Sequence, residues 1–171
     1  MTAASRVAHP AVLTAALVMM LLLGACTGMD LEPSPPPQFD LSGRWVLLED
    51  ASDDAPTRRV LRARGGMLSF VTQDFPVLRA REMRIEQSRD SMGVRYDEAD
   101  YRDVSWGTRK RGLWEVRAGW SEGRLIIISD ARDADGQEIF TLSPDGRRLT
   151  VDVRVVSSGD DVNVTRVFER R

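Results

Sequence analysis

A two-residue alternation of apolar and polar positions runs through most of the chain after residue 81 and predicts short β-strands. In residues 81–87, for example, Met83 and Ile85 fall on one face and charged residues fall on the other. The unbroken apolar run of residues 125–128 indicates a strand that is buried on both faces. Further segments with strand-like patterns are residues 39–49, 94–96, 101–106, 113–120, 138–142, 149–155 and 162–168.

The connections between these segments are short, and they join about eight or nine strands with little helix. Residues 143–146, Ser-Pro-Asp-Gly, fit a β-turn with proline at its second position and glycine at its fourth. The sequence therefore predicts one all-β domain over residues 39–171. Its strands form an antiparallel meander that closes into a small barrel or curves into a strongly bent sheet.

Residues 50–80 are the least regular part of this domain. Pro56 suits the first turn of a helix, and the glycine pair at 65–66 would end it. Residues 57–63 therefore predict a short helix, whereas residues 67–71 fit a strand and a helix equally well.

The N-terminal region has the pattern of an export signal. Residues 1–10 carry one positive charge, at Arg6, and residues 11–23 are almost wholly apolar. That run has the length of a signal-peptide core and is shorter than the ~20 residues of a membrane-spanning helix. A short membrane anchor, or an ordinary cleaved signal followed by an incidental cysteine, is the alternative interpretation.

The segment Leu23-Gly24-Ala25-Cys26 resembles the lipobox of bacterial lipoproteins at every position. The resemblance implies that a signal peptidase recognises Leu23, Gly24 and Ala25 and removes residues 1–25. Cys26 would then be the first residue, carrying a diacylglyceryl group and a third, amide-linked chain of the palmitate type. Two or three such chains hold a protein stably to a membrane, because each buried CH₂ contributes ~0.8 kcal/mol.

The residues after Cys26 indicate in which membrane the anchor lies and how the domain is connected to it. In enteric-type sorting an aspartate at the next position favours the inner membrane, so Thr27 implies an outer-membrane anchor that faces the periplasm. Residues 26–38 contain four prolines and no apolar periodicity. They predict a tether that is either an extended polyproline II spacer or disordered, and a proline-motif ligand for a partner protein is a further alternative.

Composition excludes many kinds of chemistry from the mature chain. His9 is the only histidine and lies in the leader, and Cys26 is the only cysteine. Histidine-based catalytic triads, cysteine nucleophiles, His/Cys zinc sites and thiolate or haem cofactors are therefore excluded, and no cofactor is expected. The formal net charge of -2 gives no field that favours nucleic acid.

Several turns and strands resemble those of a loosely defined group of bacterial envelope proteins with lipocalin-like domains. The shared segments are residues 42–45, 117–125, 142–149 and 166–168. In lipocalin-like barrels an arginine of the last strand often stacks on a tryptophan of the first strand, and the resemblance implies this role for Arg166 and Trp45. The alternative is that Arg166 leans outward past a change of register.

One surface region combines cations with aromatic residues. Arg109, Lys110 and Arg111 lie between Trp106 and Trp114, and Tyr101 lies upstream. Such a cluster could bind phosphates, glycans or a protein partner. The alternative is a basic hairpin tip flanked by core tryptophans.

Acidic residues offer weaker candidates. The acids of residues 130–138 could supply oxygen ligands to calcium, but the spacing departs from an EF-hand loop, so a solvated hairpin explains them better. Carboxylate pairs such as Asp97 with Glu98, or Asp100 with Asp103, are common in surface turns, and we assign no metal site and no catalytic residue.

The sequence thus predicts a non-enzymatic, lipid-anchored envelope protein with a lipocalin-like β domain. Its domain would bind a small apolar or amphipathic ligand or an envelope protein. The alternative is a scaffold that acts through its surface, because the large side chains of Trp45, Trp114, Trp120 and Phe168 could fill a small barrel completely.

Overall fold

The computed structural model describes residues 29–64, 66–97 and 99–171. The predicted signal peptide, the lipobox and Cys26 lie outside the described residues. Among the residues described, no helix has the length and apolar character needed to cross a membrane.

Ten antiparallel strands form a single sheet. They are β1 (Gly43–Leu47), β2 (Glu82–Gln87), β3 (Ser91–Tyr96), β4 (Asp100–Ser105), β5 (Gly107–Arg111), β6 (Trp114–Ser121), β7 (Arg124–Ala131), β8 (Ala134–Leu142), β9 (Arg148–Ser157) and β10 (Asp160–Arg170). The spatial order is β4-β3-β2-β1-β10-β9-β8-β7-β6-β5, so the first strand pairs with the last. The predicted all-β antiparallel meander is confirmed as a nearly closed barrel.

The barrel remains open at one place along its circumference. β4 and β5 follow each other in the chain, yet they are the two edges of the sheet, and no backbone ladder joins them in the described residues. β5 also explains why there are ten strands: residues 107–111 form a strand paired with β6, not the hairpin tip considered from the sequence.

A helical segment lies between β1 and β2. It contains the helices α1 (Arg58–Arg64) and α2 (Gly66–Val71) and three 3-10 turns, Glu49–Ala51, Thr72–Asp74 and Pro76–Leu78. The ambiguous residues 67–71 are thus helical. Leu68 and Val71, three residues apart, are buried, whereas Met67 and Phe70 are exposed. We call the end of the barrel that carries this segment the helical end.

Large side chains fill the interior of the barrel. The four residues predicted to do so, Trp45, Trp114, Trp120 and Phe168, are each at most 3% exposed. Phe140 of β8 and Phe75, which follows α2, are also fully buried. Packing of these residues against the apolar faces of the strands supplies the main stabilisation, since burial contributes ~25 cal/mol per Å² of apolar surface.

A last-strand arginine does stack on Trp45, but it is Arg170 and not the predicted Arg166. The Arg170 guanidinium carbon lies 4.5 Å from the centre of the Trp45 ring. The strand register places Arg170 directly opposite Trp45. The guanidinium also donates hydrogen bonds to the carbonyl oxygens of Asp40, Ser42 and Gly146, at 2.7 to 2.8 Å. Arg170 therefore closes the barrel at the end opposite the helices.

Part of the predicted tether belongs to the folded domain. The Glu32 N–H donates to the Trp120 carbonyl and the Trp120 N–H to the Glu32 carbonyl, both at 2.9 Å. A Cβ on Gly119 would lie 2.7 Å from the Glu32 carbonyl oxygen and from the Leu31 Cβ, so glycine permits this close approach. The compact unit that contains the barrel begins at Leu31.

We expect Arg170→Ala to lower the free energy of unfolding by about 2 kcal/mol, because it removes a cation–π contact and three charge-assisted hydrogen bonds. Urea denaturation followed by tryptophan fluorescence measures this. Arg171→Ala is the matched control, since Arg171 is exposed and its side chain pairs only with Glu169 at the surface. Equal destabilisation by both variants would contradict the closing role of Arg170.

Candidate functional site

A groove of about 570 Å³ lies at the helical end, where β4 and β5 separate. One wall comes from α2 and the turns that follow it, including Phe70 and Asp74. The other wall comes from β4, β5 and the turn into β6. The groove is therefore a direct consequence of the missing ladder between the two edge strands.

Cations on the interior side of β5 line this groove. In the register with β6, Arg109 is opposite Val116 and Arg111 is opposite Trp114, so both arginines lie on the same face as buried side chains. Lys110 is opposite the exposed Glu115 and lies on the outer face. Alternation along one strand thus separates three consecutive cations into two that line the groove and one that does not.

Arg109 joins the two edge strands through its side chain. Its Nη1 donates hydrogen bonds to Asp103 Oδ2 at 3.1 Å and to Ser105 Oγ at 2.5 Å, and both acceptors are on β4. Side chains therefore link the two edge strands at this position, where no backbone ladder joins them in the described residues.

Arg111 is a cation held in an unfavourable position. Burial lowers the pKa of its guanidinium, and the positive charge of Arg102 nearby lowers it further, against the opposing effects of Glu138 and Asp74. The Arg111 Nη2 reaches the Asp74 backbone carbonyl only at 3.4 Å. An anion bound in the groove would offset this desolvation and repulsion, which makes Arg111 the strongest single candidate for ligand contact.

Exposed apolar side chains flank the same groove. Phe70 of α2 is 55% exposed, Tyr101 of β4 is 65% exposed, and Leu113 of the β5–β6 turn is 76% exposed. All three line the groove. Large apolar side chains exposed together around a concave surface are typical of a binding site.

Beneath the groove lies an ion pair inside the barrel. Arg102 of β4 forms a salt bridge with Glu138 of β8, and both side chains are at most 4% exposed. Burial is the largest single effect and lowers the pKa of Arg102, but Glu138 and Tyr96 together outweigh it, so the pKa of Arg102 is raised. Tyr96 lies beside this pair, and burial together with the Glu138 charge raises the pKa of its phenol.

Phe75 covers the interior at the helical end. Its ring lies so close to Gly136 of β8 that a Cβ on this glycine would be 2.1 Å from the Phe75 Cζ. The ring packs edge-on against Trp114 at 5.5 Å between centres. The preceding residue, Asp74, accepts a hydrogen bond of 2.7 Å from the Trp114 indole N–H. Phe75 thus acts as a plug that β6 and β8 hold in place.

Of the predicted cluster, the structure brings Tyr101, Arg109 and Arg111 to the groove. Trp106 is elsewhere: its indole N–H donates to the Arg89 carbonyl at 2.9 Å, and its ring packs against Trp120. Lys110 points away, as described above. The sequence does not predict the roles of Phe75 and of the Arg102–Glu138 pair. The one available signal is that Arg102 lies two residues before the apolar Val104, so both fall on the same, inward face of β4.

Arg166 contributes to the helical end and not to the contact with Trp45. Its Nη1 donates to the Asp53 carbonyl at 2.7 Å and its Nη2 to the Ala80 carbonyl at 3.2 Å. Burial lowers the pKa of Arg166, although nearby carboxylates, Asp53 first, oppose the shift. Arg166 therefore ties both ends of the helical segment to β10.

The acidic hairpin of residues 130–138 has two separate parts. Asp130 and Asp135 lie opposite each other at the β7–β8 pair and are not buried. Glu138, in contrast, is fully buried in the barrel. In the part of the chain that the structure describes, no group of three or more acidic, histidine or cysteine side chains is arranged to hold a metal ion.

Comparison with known proteins establishes the fold and nothing finer. No protein-family model matches the chain, and no curated protein matches it. Among solved structures, human cRBP IV superposes with a TM-score of 0.52 and 20% identity, covering 78% of this chain and 99% of its own. The fluorescent protein UnaG superposes with a TM-score of 0.54 and 12% identity, covering 77% and 97%. The chain therefore has the architecture of lipocalin-like and fatty-acid-binding-protein-like β-barrels.

We expect Phe75→Ala to lower the free energy of unfolding by about 3–5 kcal/mol, because it leaves a cavity in the packed helical end. Phe70→Ala is the matched control, since Phe70 lies on the neighbouring helix but is 55% exposed, and its loss should cost less than about 1 kcal/mol. Chemical denaturation measures both. Similar values for the two variants would show that Phe75 does not plug the barrel.

Proposed function

We propose that this protein is a non-enzymatic, lipid-anchored envelope protein whose barrel binds a small amphipathic molecule with an anionic group at the helical end. One observation carries the binding proposal: the groove between β4 and β5 places the half-buried Arg111 beside a second cation and below exposed apolar side chains. An amphipathic anion complements both features at once. The fold supports ligand binding as a class of function, and the groove supplies the specific site.

The two parts of such a ligand would have separate contacts. An anionic group would be placed at Arg111, with Arg109, which also pairs with Asp103, as the second cation that lines the groove. The apolar part would cover Phe70 and Leu113, which otherwise expose their side chains to water. Tyr101 lies at the border of the groove, with its ring over Gly93 on the outer face of the sheet. A small molecule suits this volume, which falls within the range of ~300–1,000 Å³ typical of ligand sites.

The anchor part of the proposal rests on the lipobox of residues 23–26. Acylated Cys26 would hold the protein to the outer membrane, facing the periplasm. From Cys26 to Leu31, where the domain begins, the chain spans at most ~17 Å when fully extended. The barrel would therefore remain close to the membrane surface, because the segment around Leu31 and Glu32 is paired with β6.

A scaffold that acts through its surface is the second candidate, and the plug favours it. With Phe75 seated against Gly136, large side chains occupy the interior beneath the groove. In this alternative the same groove would receive a segment of an envelope protein. The two candidates differ in whether an isolated small molecule binds with useful affinity.

Replacing both inner arginines, in Arg109→Gln/Arg111→Gln, should weaken binding of 1-anilinonaphthalene-8-sulfonate, an amphipathic anion, at least tenfold. Fluorescence titration measures the affinity. Lys110→Gln is the matched control, because it removes a charge from the same strand on its outer face and should change the affinity less than twofold. An equal loss in both variants would indicate a general charge effect and contradict the groove.

The anchor makes a separate prediction. Expressed with its own leader in a Gram-negative host, the protein should partition with membranes and yield an N-terminal peptide with a triacylated Cys26. Cys26→Ser should prevent acylation and leave the unprocessed precursor. Mass spectrometry of the N-terminal peptide reads both results, and an unmodified Cys26 in the exported chain would contradict the anchor.

A further inference from the structure

The interior beneath Phe75 contains polar atoms that the protein itself leaves without partners. Among the described residues, no hydrogen-bond partner is present for Arg102 Nε, Arg102 Nη2, Glu138 Oε1 and Ser129 Oγ. Each of these side chains is almost fully buried. A buried donor or acceptor without a partner is unfavourable, because it has lost its hydrogen bonds to water, so a set of them in one place indicates a partner from outside the chain.

These atoms belong to one region of the barrel. Arg102 reaches across the interior from β4 to Glu138 on β8, where the two side chains form a salt bridge. Ser129 on β7 is opposite Gly136, two positions from Glu138, so Ser129 and Glu138 are diagonal neighbours on the same face. The Phe75 ring packs directly on Gly136 and therefore covers this polar region at its helical side.

The region is also continuous with the groove. Arg102, although only 5% exposed, lines the groove between β4 and β5. Asp74, next to Phe75 in the chain, lines it as well. Displacement of Phe75 would therefore open the polar region towards the groove without breaking the barrel wall.

The charges of the region determine what it can bind. The positive charges of Arg102 and its neighbour Arg111 are matched by the negative charges of Glu138 and Asp74. The unpaired atoms are two N–H donors of Arg102, one carboxylate oxygen of Glu138 and the Ser129 hydroxyl. A carboxylate ligand would satisfy Arg102 but would leave Glu138 Oε1 without a donor and repel it. An ammonium group would have the opposite defect. An uncharged group with both a carbonyl acceptor and an N–H donor satisfies both sides.

We propose that the Arg102–Glu138 pair, with Ser129 beside it, is a second binding site, for an uncharged donor–acceptor group such as a carboxamide, lactam or urea, which enters when Phe75 is displaced. The carbonyl oxygen accepts from Arg102 Nη2 or Nε, and the ligand N–H donates to Glu138 Oε1. This site goes beyond the proposed groove, where the arginines of β5 favour an anion. It assigns a function to the buried ion pair that the groove alone does not explain.

The test compares decanamide with decanoate, which share an apolar chain and differ in the head group. Isothermal titration calorimetry is performed on the wild-type protein and on Phe75→Ala. We expect Phe75→Ala to bind decanamide at least tenfold more tightly than the wild type does, and decanoate less than threefold more tightly. An equal gain for both ligands, or a gain for neither, would overturn the proposal, the latter indicating that water alone satisfies these atoms.

A charge substitution tests the recognition itself. Glu138→Gln, combined with Phe75→Ala, keeps the shape of the side chain but leaves the Arg102 charge without its counter-ion. The preference should then reverse, with decanoate bound more tightly than decanamide. An unchanged preference would contradict recognition by the Arg102–Glu138 pair.

A second variant that displaces Phe75 keeps the test possible if Phe75→Ala does not fold. In Gly136→Ala the new methyl group would meet the Phe75 ring and force it outward, while Gly66→Ala, which meets no atom within 4 Å, is the control. Gly136→Ala should raise decanamide affinity and Gly66→Ala should not. The titration of the β5 variants with anilinonaphthalene sulfonate tests only the groove, and the decanamide titrations test only the buried site. Failure of one proposal can therefore be distinguished from failure of the other.

Discussion

The backbone ladder of this barrel stops between β4 and β5, and the form of the site follows from that interruption. Every other strand has two neighbours, whereas these two edge strands are linked by the Arg109 side chain reaching Asp103 and Ser105. Side chains that line the gap are thereby reachable from solvent and from the interior. The groove, its inner cations and its connection to the buried ion pair all depend on the absence of backbone pairing at this point.

The helical segment is the second determinant of the site. It crosses the helical end and inserts Phe75 into the barrel, where Gly136 allows the ring to approach the wall of β8. Arg166 ties the two ends of the segment to β10, and Asp74 ties its middle to Trp114. The segment thus forms one wall of the groove and at the same time covers the interior, so opening of the interior requires movement at Phe75.

Sequence periodicity was sufficient for the sheet because one side of nearly every strand is buried. Alternation identifies which residues face inward, as at Met83 and Ile85, and the proline–glycine turn at 143–146 forms with the expected hydrogen bond from the Gly146 N–H to the Ser143 carbonyl. Alternation does not, however, show which of several residues on the same face of a strand makes a given contact. Arg166 and Arg170 both lie on the same face of β10, and only the register with β1 decides that Arg170 stacks on Trp45.

The sequence predicts only those parts of the candidate site that a local sequence pattern reveals. Arg109 and Arg111 are predicted because cations beside aromatic residues are visible in the sequence. The outward position of Lys110 depends on strand β5, for which the sequence offers a basic hairpin tip as the alternative interpretation. Phe75 lies in a segment with no regular period. The partner of Arg102 is 36 residues away, on the opposite side of the barrel, and no local pattern connects them.

The four tryptophans provide a direct test of where a ligand binds. The indole N–H groups of three of them are bonded at different places: Trp114 to Asp74 at the groove, Trp106 to the Arg89 carbonyl, and Trp45 to the Leu41 carbonyl. In a ¹⁵N-labelled protein titrated with decanoate, the account predicts a progressive shift of the Trp114 indole signal, with the Trp45 and Trp106 signals unmoved. A titration that shifts Trp45 or Trp106 and leaves Trp114 in place would contradict binding at the groove between β4 and β5.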